Sequence, residues 1–205
     1  MKNRDYKNLA PNTIVHIYNR GNNREKIFYD KSDYSAFLFR IGLCLGIDQE
    51  TLKKENILSV SNSRIRINPN NNLFKLHAFC LMPNHFHLLI EQCEDTPISK
   101  LISQVCTSYA MYINKKYKRV GHVFQDQFKS VLIDNDPQLI WTSAYIHMNP
   151  VKDGLVKNPE DYKWSSYIDF ISNRNLSIVN KEFLLSVFGN IKDFEKETLN
   201  FDKKG

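Results

Sequence analysis

Residues Leu76 to Gln92, reading LHAFCLMPNHFHLLIEQ, constrain this chain more than any other stretch. Two apolar runs flank the turn residues Met82-Pro83-Asn84, which predicts a β-hairpin. The second run opens His85-Phe86-His87. On a strand, successive side chains point to opposite faces, so His85 and His87 share one face while Phe86, Leu88 and Ile90 take the other. A sheet that buries Phe86, Leu88 and Ile90 therefore leaves two imidazoles side by side on an open face. Neutral imidazoles so placed can hold one divalent metal ion.

The chain around the hairpin has a clear order. Thr13 to Arg20 is β-branched, roughly alternating and stopped by Gly21, which predicts a first strand. Tyr34, Phe37, Leu38, Ile41 and Leu45 recur at helical spacing behind Asp30 to Ser32, predicting a helix over about 33–46. Phe74–Leu81 and His85–Glu91 are the hairpin strands. Thr96-Pro97 starts a long helix with Ile98, Leu101, Ile102, Val105, Tyr109, Tyr112 and Ile113 on one stripe, ending in the basic run before Gly121. Val123 to Ile133 reads as a fourth strand. Asp134-Asn135-Asp136-Pro137 offers carboxylate cap candidates and an N-terminal proline, so a last long helix runs to about Met148 and stops before Asn149-Pro150. The order β-α-β-β-α-β is ferredoxin-like: an α+β fold, with a four-stranded antiparallel sheet carrying two helices on one face. The additional helix is left to lie across the open face. Residues 48–72, with alternating Leu58-Ser59-Val60 and Arg64 to Ile67, read as an insertion. A short helix is expected at Glu182 to Phe188, followed by a polar tail. The domain division is 1–170 for the main unit and 171–205 for a C-terminal helical tail.

Composition excludes several classes. The chain is 42% hydrophobic and 12% aromatic, enough for a packed core. It has no run of about 18 apolar residues for a membrane span and no apolar stretch after Met1 resembling a signal peptide. Cys44, Cys80, Cys93 and Cys106 lack metal-site spacing and read as reduced thiols of a cytoplasmic protein. The net charge of +6 is modest. Its distribution is more informative: Lys115, Lys116, Lys118 and Arg119 fall within five residues, and Arg20 and Arg24 bracket Gly21-Asn22-Asn23. These six are candidate contacts to a phosphate backbone.

Tyr145 and Asn149, four residues apart, share a helix face. If their helix crosses the open face, they present a phenol and a carboxamide to the two histidines. Tyr109 and Tyr112 are rival phenols on a stripe that faces the core.

These motifs resemble those of the HUH endonucleases, and among them the single-tyrosine transposases of the IS200/IS605 type in their REP-associated branch. The similarity rests on Asn19-Arg20-Gly21-Asn22-Asn23-Arg24, on Leu81 to Leu89, on Gly121-His122-Val123-Phe124-Gln125, on Tyr145 to Val151 and on Trp164-Ser165-Ser166-Tyr167, in that order. One departure is Gln127, where the family often carries Arg; residues 48–72 also match poorly. The resemblance implies Tyr145 as nucleophile, and His85, His87 and Asn149 as ligands of Mg²⁺ or Mn²⁺. It further implies a hairpin-forming single-stranded DNA partner, acted on by a monomer or homodimer. Two other readings stay open at this point. One is a domesticated DNA-binding protein that acts on repeat hairpins without mobility. The other is a metallohydrolase built on the His-x-His pair.

Overall fold

The hairpin forms as its sequence dictates, and the remaining strands assemble around it. A computed structural model describes residues 9–58 and 72–201. The second stretch of the alternating insertion, Arg64 to Ile67, and most of the first lie outside the described residues. β1 (Thr13–Arg20), β2 (Phe74–Met82), β3 (His85–Gln92) and β4 (Lys129–Leu132) make one sheet in the order β2-β3-β1-β4. Every neighbouring pair is antiparallel. This is the expected ferredoxin-like arrangement.

The helices are α1 (Lys31–Cys44), α2 (Gln49–Lys54), α3 (Ile98–Lys116), α4 (Asp136–Lys152), α5 (Tyr167–Ile171), α6 (Glu182–Phe188) and α7 (Ile191–Leu199). Asp30 caps α1 and exchanges a reciprocal capping box with Asp33, which removes unpaired amides from the first turn. No side chain of its cap residue, Pro97, closes the start of α3; the Gln92 amide oxygen accepts from Ile98 N instead, at 2.9 Å. α1 and α3 cover one sheet face, where Phe86 is fully buried against Phe37 and Phe124. α4 lies along β2 and β3 on the other face.

Three expectations need correction. The fourth strand is only Lys129–Leu132; upstream, Gly21 and Phe124 make an isolated bridge, and the segment between is irregular. The cap of α4 is the amide of Asn135, not a carboxylate. And α4 does not stop before Asn149-Pro150 but runs through Pro150 to Lys152. Burial of Met148, Asn149 and Pro150 outweighs the local bias against a helix before proline. The true stop is Gly154, whose φ of +68° suits a residue without Cβ. Gly154 N donates to Val151 O and Leu155 N to Pro150 O, the paired closure of a Schellman motif.

The segment Trp164-Ser165-Ser166 has a structural task. β2 is a sheet edge, and this segment covers it: Leu81 N donates to Trp164 O and Ser166 N to Phe79 O, so no open ladder remains along that stretch. The Ser166 hydroxyl also accepts from Phe79 N at 2.8 Å and meets His147 Nε2 at 2.9 Å. His147, wholly buried, is thereby tied to β2, and burial lowers its pKa to about 3. Arg174 clamps the same segment through Asp169 and the carbonyls of Lys163 and Ser165.

Beyond α6 the expected polar tail is instead the helix α7, which packs on α4. Its Phe194 has no exposed surface and contacts Phe170, Tyr167, Phe188 and His147. Phe194→Ala is expected to lower the unfolding free energy by about 3–5 kcal/mol, as for other large-to-small core changes. Chemical denaturation measures this; a loss within error would show that α7 is not part of the core.

Candidate active site

The register of β1 against β3 decides what surrounds the histidines. Tyr18 pairs with His87 and Arg20 with His85, and cross-strand partners point the same way. His16, two residues before Tyr18, therefore shares that face. Its ring stacks on His87 with centroids 5.1 Å apart, and its Nε2 lies 2.9 Å from His87 Nδ1. His85 and His87 meet edge to face at 5.0 Å.

Each imidazole is oriented by a neighbour. Asn84 Nδ2 donates to Arg24 O, which turns its oxygen toward His85 Nδ1 at 2.6 Å. An amide oxygen only accepts, so His85 Nδ1 carries the hydrogen and Nε2 keeps its lone pair. His16 does the corresponding work for His87: when His87 Nδ1 donates to His16, His87 Nε2 is left with its lone pair. That atom is buried and has no hydrogen-bond partner. Burial, then the neighbouring His16, His85 and Arg20, drive the His87 pKa well below its usual value. Burial, then Arg20, lowers His85 to about 4, and burial alone lowers His16 to about 4. All three rings are neutral at neutral pH, which is the form that donates electron pairs.

α4 supplies the rest. Trp141, Tyr145 and Asn149 stand one turn apart. The half-buried Tyr145 ring meets His87 edge-on at 5.4 Å and His16 at 5.9 Å. Asn149 Nδ2 donates to Tyr145 O at 2.7 Å, and its side chain lies within hydrogen-bonding reach of His85. All four sequence-predicted groups, His85, His87, Tyr145 and Asn149, thus meet in one chain. They line a cleft of about 440 Å³ shared with Tyr18, Arg20, Gln127, Lys129 and Asp153. Among the described residues no group of three or more His, Cys, Asp or Glu could hold a metal. A site here would need His85, His87 and the amide oxygen of Asn149. The unpartnered, buried Nε2 of His87 fits such a ligand.

The rival phenols are spent in the core: Tyr109 donates to Ile27 O and Tyr112 to Asp33. The basic run divides. Lys116 is held by Asp30, Ser32 and the fully buried Asp33, and Arg119 by Glu25 and Tyr29. These two are engaged in ion pairs, whereas Lys115 and Lys118 project from the same run as exposed residues. Arg20, exposed, lines the cleft, and Arg24 is exposed beside Asn84. Sequence reasoning missed His16, Asn84, Lys129 and Asp153. His16 and Lys129 were findable only through the alternation of β1 and β4, and Asp153 through helical spacing from Asn149.

Comparison with known proteins completes the picture. The family model described as "Transposase IS200 like" matches residues 43–149, just over half of the chain. The chain belongs to the IS200-like transposase family. Within it, a putative REP-associated tyrosine transposase of Haemophilus influenzae is 31% identical over 105 residues, 46% of this chain. The match spans 59% of that relative's length. A solved REP-associated tyrosine transposase bound to a REP hairpin superposes with a TM-score of 0.57 at 18% identity, covering 82% of this chain and 83% of the other. The four-stranded antiparallel sheet with its helices is therefore a fold shared with that solved transposase. No helix among the described residues is long and apolar enough to cross a membrane.

The ion pair at the start of α1 makes a clean test of how the basic run divides. Lys116→Met is expected to cost about 1.5–3 kcal/mol of stability, the worth of hydrogen bonds to a charged group. It should leave oligonucleotide affinity nearly unchanged. A stable variant with weakened DNA binding would return Lys116 to the phosphate-contact set.

Proposed function

We propose that this protein is a metal-dependent single-strand DNA transposase that cuts and rejoins DNA through a phosphotyrosine bond on Tyr145. The observation that carries this reading is the approach of Tyr145 to the His85–His87 pair, in which His87 Nε2 is buried without a hydrogen-bond partner. Family membership supports the class of reaction. The REP hairpin bound to the solved relative supports a hairpin-forming single strand as the substrate.

Each residue then has a task. His85, His87 and the Asn149 oxygen would hold Mg²⁺ or Mn²⁺, which when bound makes a phosphate's phosphorus more electrophilic and offsets the charge that develops on its oxygens. Arg20 and Lys129 attract the DNA backbone into the cleft. Tyr145 Oη attacks phosphorus as its proton leaves to solvent; the bond to the 3′ oxygen breaks and that oxygen takes up a proton. The products are a 5′-phosphotyrosine and a free 3′-OH. A 3′-OH returning to the same phosphorus expels Tyr145 and rejoins DNA, so the phosphodiester energy is kept and no ATP is needed. A binding protein without mobility would use the cleft but form no adduct.

The decisive experiment incubates the protein with Mn²⁺ and a panel of single-stranded hairpin oligonucleotides. Denaturing gels and mass spectrometry of the adduct peptide follow. Wild type is expected to give an adduct on Tyr145, and Tyr145→Phe none, with folding and DNA binding retained. An adduct on another tyrosine, or cleavage by the Phe variant, defeats the assignment.

The ligand set has its own test. His85→Ala and His87→Ala are expected to abolish adduct formation and Mn²⁺ binding. His16→Phe, which removes only the partner of His87, should weaken Mn²⁺ binding by about 10–100-fold, as loss of an orienting neighbour does. Calorimetric titration with Mn²⁺ reads both; unchanged affinity in the double histidine variant would show that the site is misassigned.

A further inference from the structure

The Tyr145 ring separates two spaces of different character. On one side is the polar cleft with Arg20 and Lys129. On the other is a cavity of about 300 Å³, walled by the rings of His16, Tyr18, His87, Trp141 and Tyr145 together with Val131 and Thr142. That volume is at the lower end of ligand sites. Tyr18, His87 and Tyr145 line both spaces, so the two adjoin.

Trp141 dominates the second space. It is 49% exposed on the functional face of α4. Its ring is stacked on Tyr145, parallel within 3° with centroids 5.4 Å apart, and Phe201 braces it at 5.3 Å. Across from it, Val131 on the edge strand β4 is 39% exposed. The amide of Gln138, which also borders the cavity, is turned to the backbone: its Oε1 accepts from Asp134 N and its Nε2 donates to Leu132 O. The pocket thus offers mainly flat rings and a methyl-bearing wall, its polar atoms being chiefly those of His16, Tyr18 and Thr142.

We propose that this pocket receives the nucleobase of the nucleotide adjoining the scissile phosphate, with Trp141 as its stacking platform. The inference rests on the reading of Tyr145 as the nucleophile toward DNA. A nucleotide whose phosphate lies at the Tyr145 hydroxyl carries its base within one sugar's reach, and the aromatic cavity is the adjoining space of matching chemistry. Stacking on an indole tolerates every base, since each has a π face. Trp141 is accordingly a positioning residue that holds the phosphate in line with Tyr145, without strong discrimination among bases.

The chain has two tryptophans, which allows a direct readout. In a full-length Trp164→Phe background, Trp141 is the sole indole. Titration with a hairpin oligonucleotide is expected to quench its fluorescence. A walk of single abasic substitutions along the strand should abolish the quench at one position next to the cleaved bond, with overall binding, followed by anisotropy of a labelled oligonucleotide, little changed. Trp141→Ala is expected to slow adduct formation roughly tenfold at limiting DNA, the scale of one lost stack, and Trp141→Phe to recover most of the rate. Should Trp164→Phe unfold, ¹⁹F NMR of fluorotryptophan-labelled wild type, assigned through Trp141→Phe, reports the same contact. An unquenched Trp141 with normal binding and normal adduct on Tyr145 overturns the pocket and leaves the nucleophile standing. Absence of any adduct, with position-specific quenching intact, overturns the nucleophile and leaves the base site standing.

Discussion

The site depends on the pleat of β3. Phe86 is fully buried and wedged between Phe37 of α1 and Phe124, while His85 and His87 stand on the opposite face. A slip of one residue would exchange these faces. It would bring both imidazoles into a hydrophobic layer and turn Phe86, Leu88 and Ile90 into the cleft. The apolar residues at alternate positions thus fix register on both sides, against β1 and against β2, and the same packing that stabilises the domain aims the two imidazoles together. Asn84 and His16 then set which nitrogen of each ring is available, the first from the hairpin turn and the second from the neighbouring strand.

α4 is positioned by its other side. His147, two residues after Tyr145, faces Ser166 and the aromatic group around Phe194, so the helix cannot rotate without breaking a buried hydrogen bond and that packing. With rotation fixed, Trp141, Tyr145 and Asn149 are presented to the sheet as one stripe. Continuation of the helix through Pro150 matters here. An end at Met148 would have left Asn149 outside the helix and free to turn away; instead its side chain bonds back to Tyr145 O, and Asp153 is carried to the cleft mouth one turn further on.

Much of this was legible in the residues. Period-two and period-3.6 patterns gave the element order and the shared face of His85 and His87, because both are local properties. The pairing of Tyr145 with Asn149 was legible for the same reason. What escaped depends on partners distant in sequence. His16 is a single histidine in a β-branched strand, and its relation to His87, 71 positions away, follows only from strand order. Lys116 looked like one cation of an open run because the buried Asp33 that claims it lies on another helix. The stop of α4 was misplaced because a dipeptide bias at Asn149-Pro150 was weighed without the burial that opposes it, although Gly154 was in view.

The electrostatic layout bears on what kind of strand can enter. The cations at the cleft are single residues, Arg20 on β1 and Lys129 on β4, set against the carboxylates of Asp126 and Asp153 in the same wall. Such a mixed wall gives a weak general attraction, so binding has to draw on something besides charge. On the proposed reading, aromatic surface beside Tyr145 supplies it: Trp141 stacks parallel on Tyr145, with the Lys152 ammonium 5.8 Å above the Tyr145 ring. A base that stacks on this indole cannot at the same time be paired in a duplex, whereas a flexible single strand can place its phosphate in the polar cleft and its base on the indole together. On this reading the preference for an unpaired strand arises next to the proposed nucleophile, from a polar cleft and an aromatic cavity set side by side, and not only from recognition of a hairpin elsewhere on the surface.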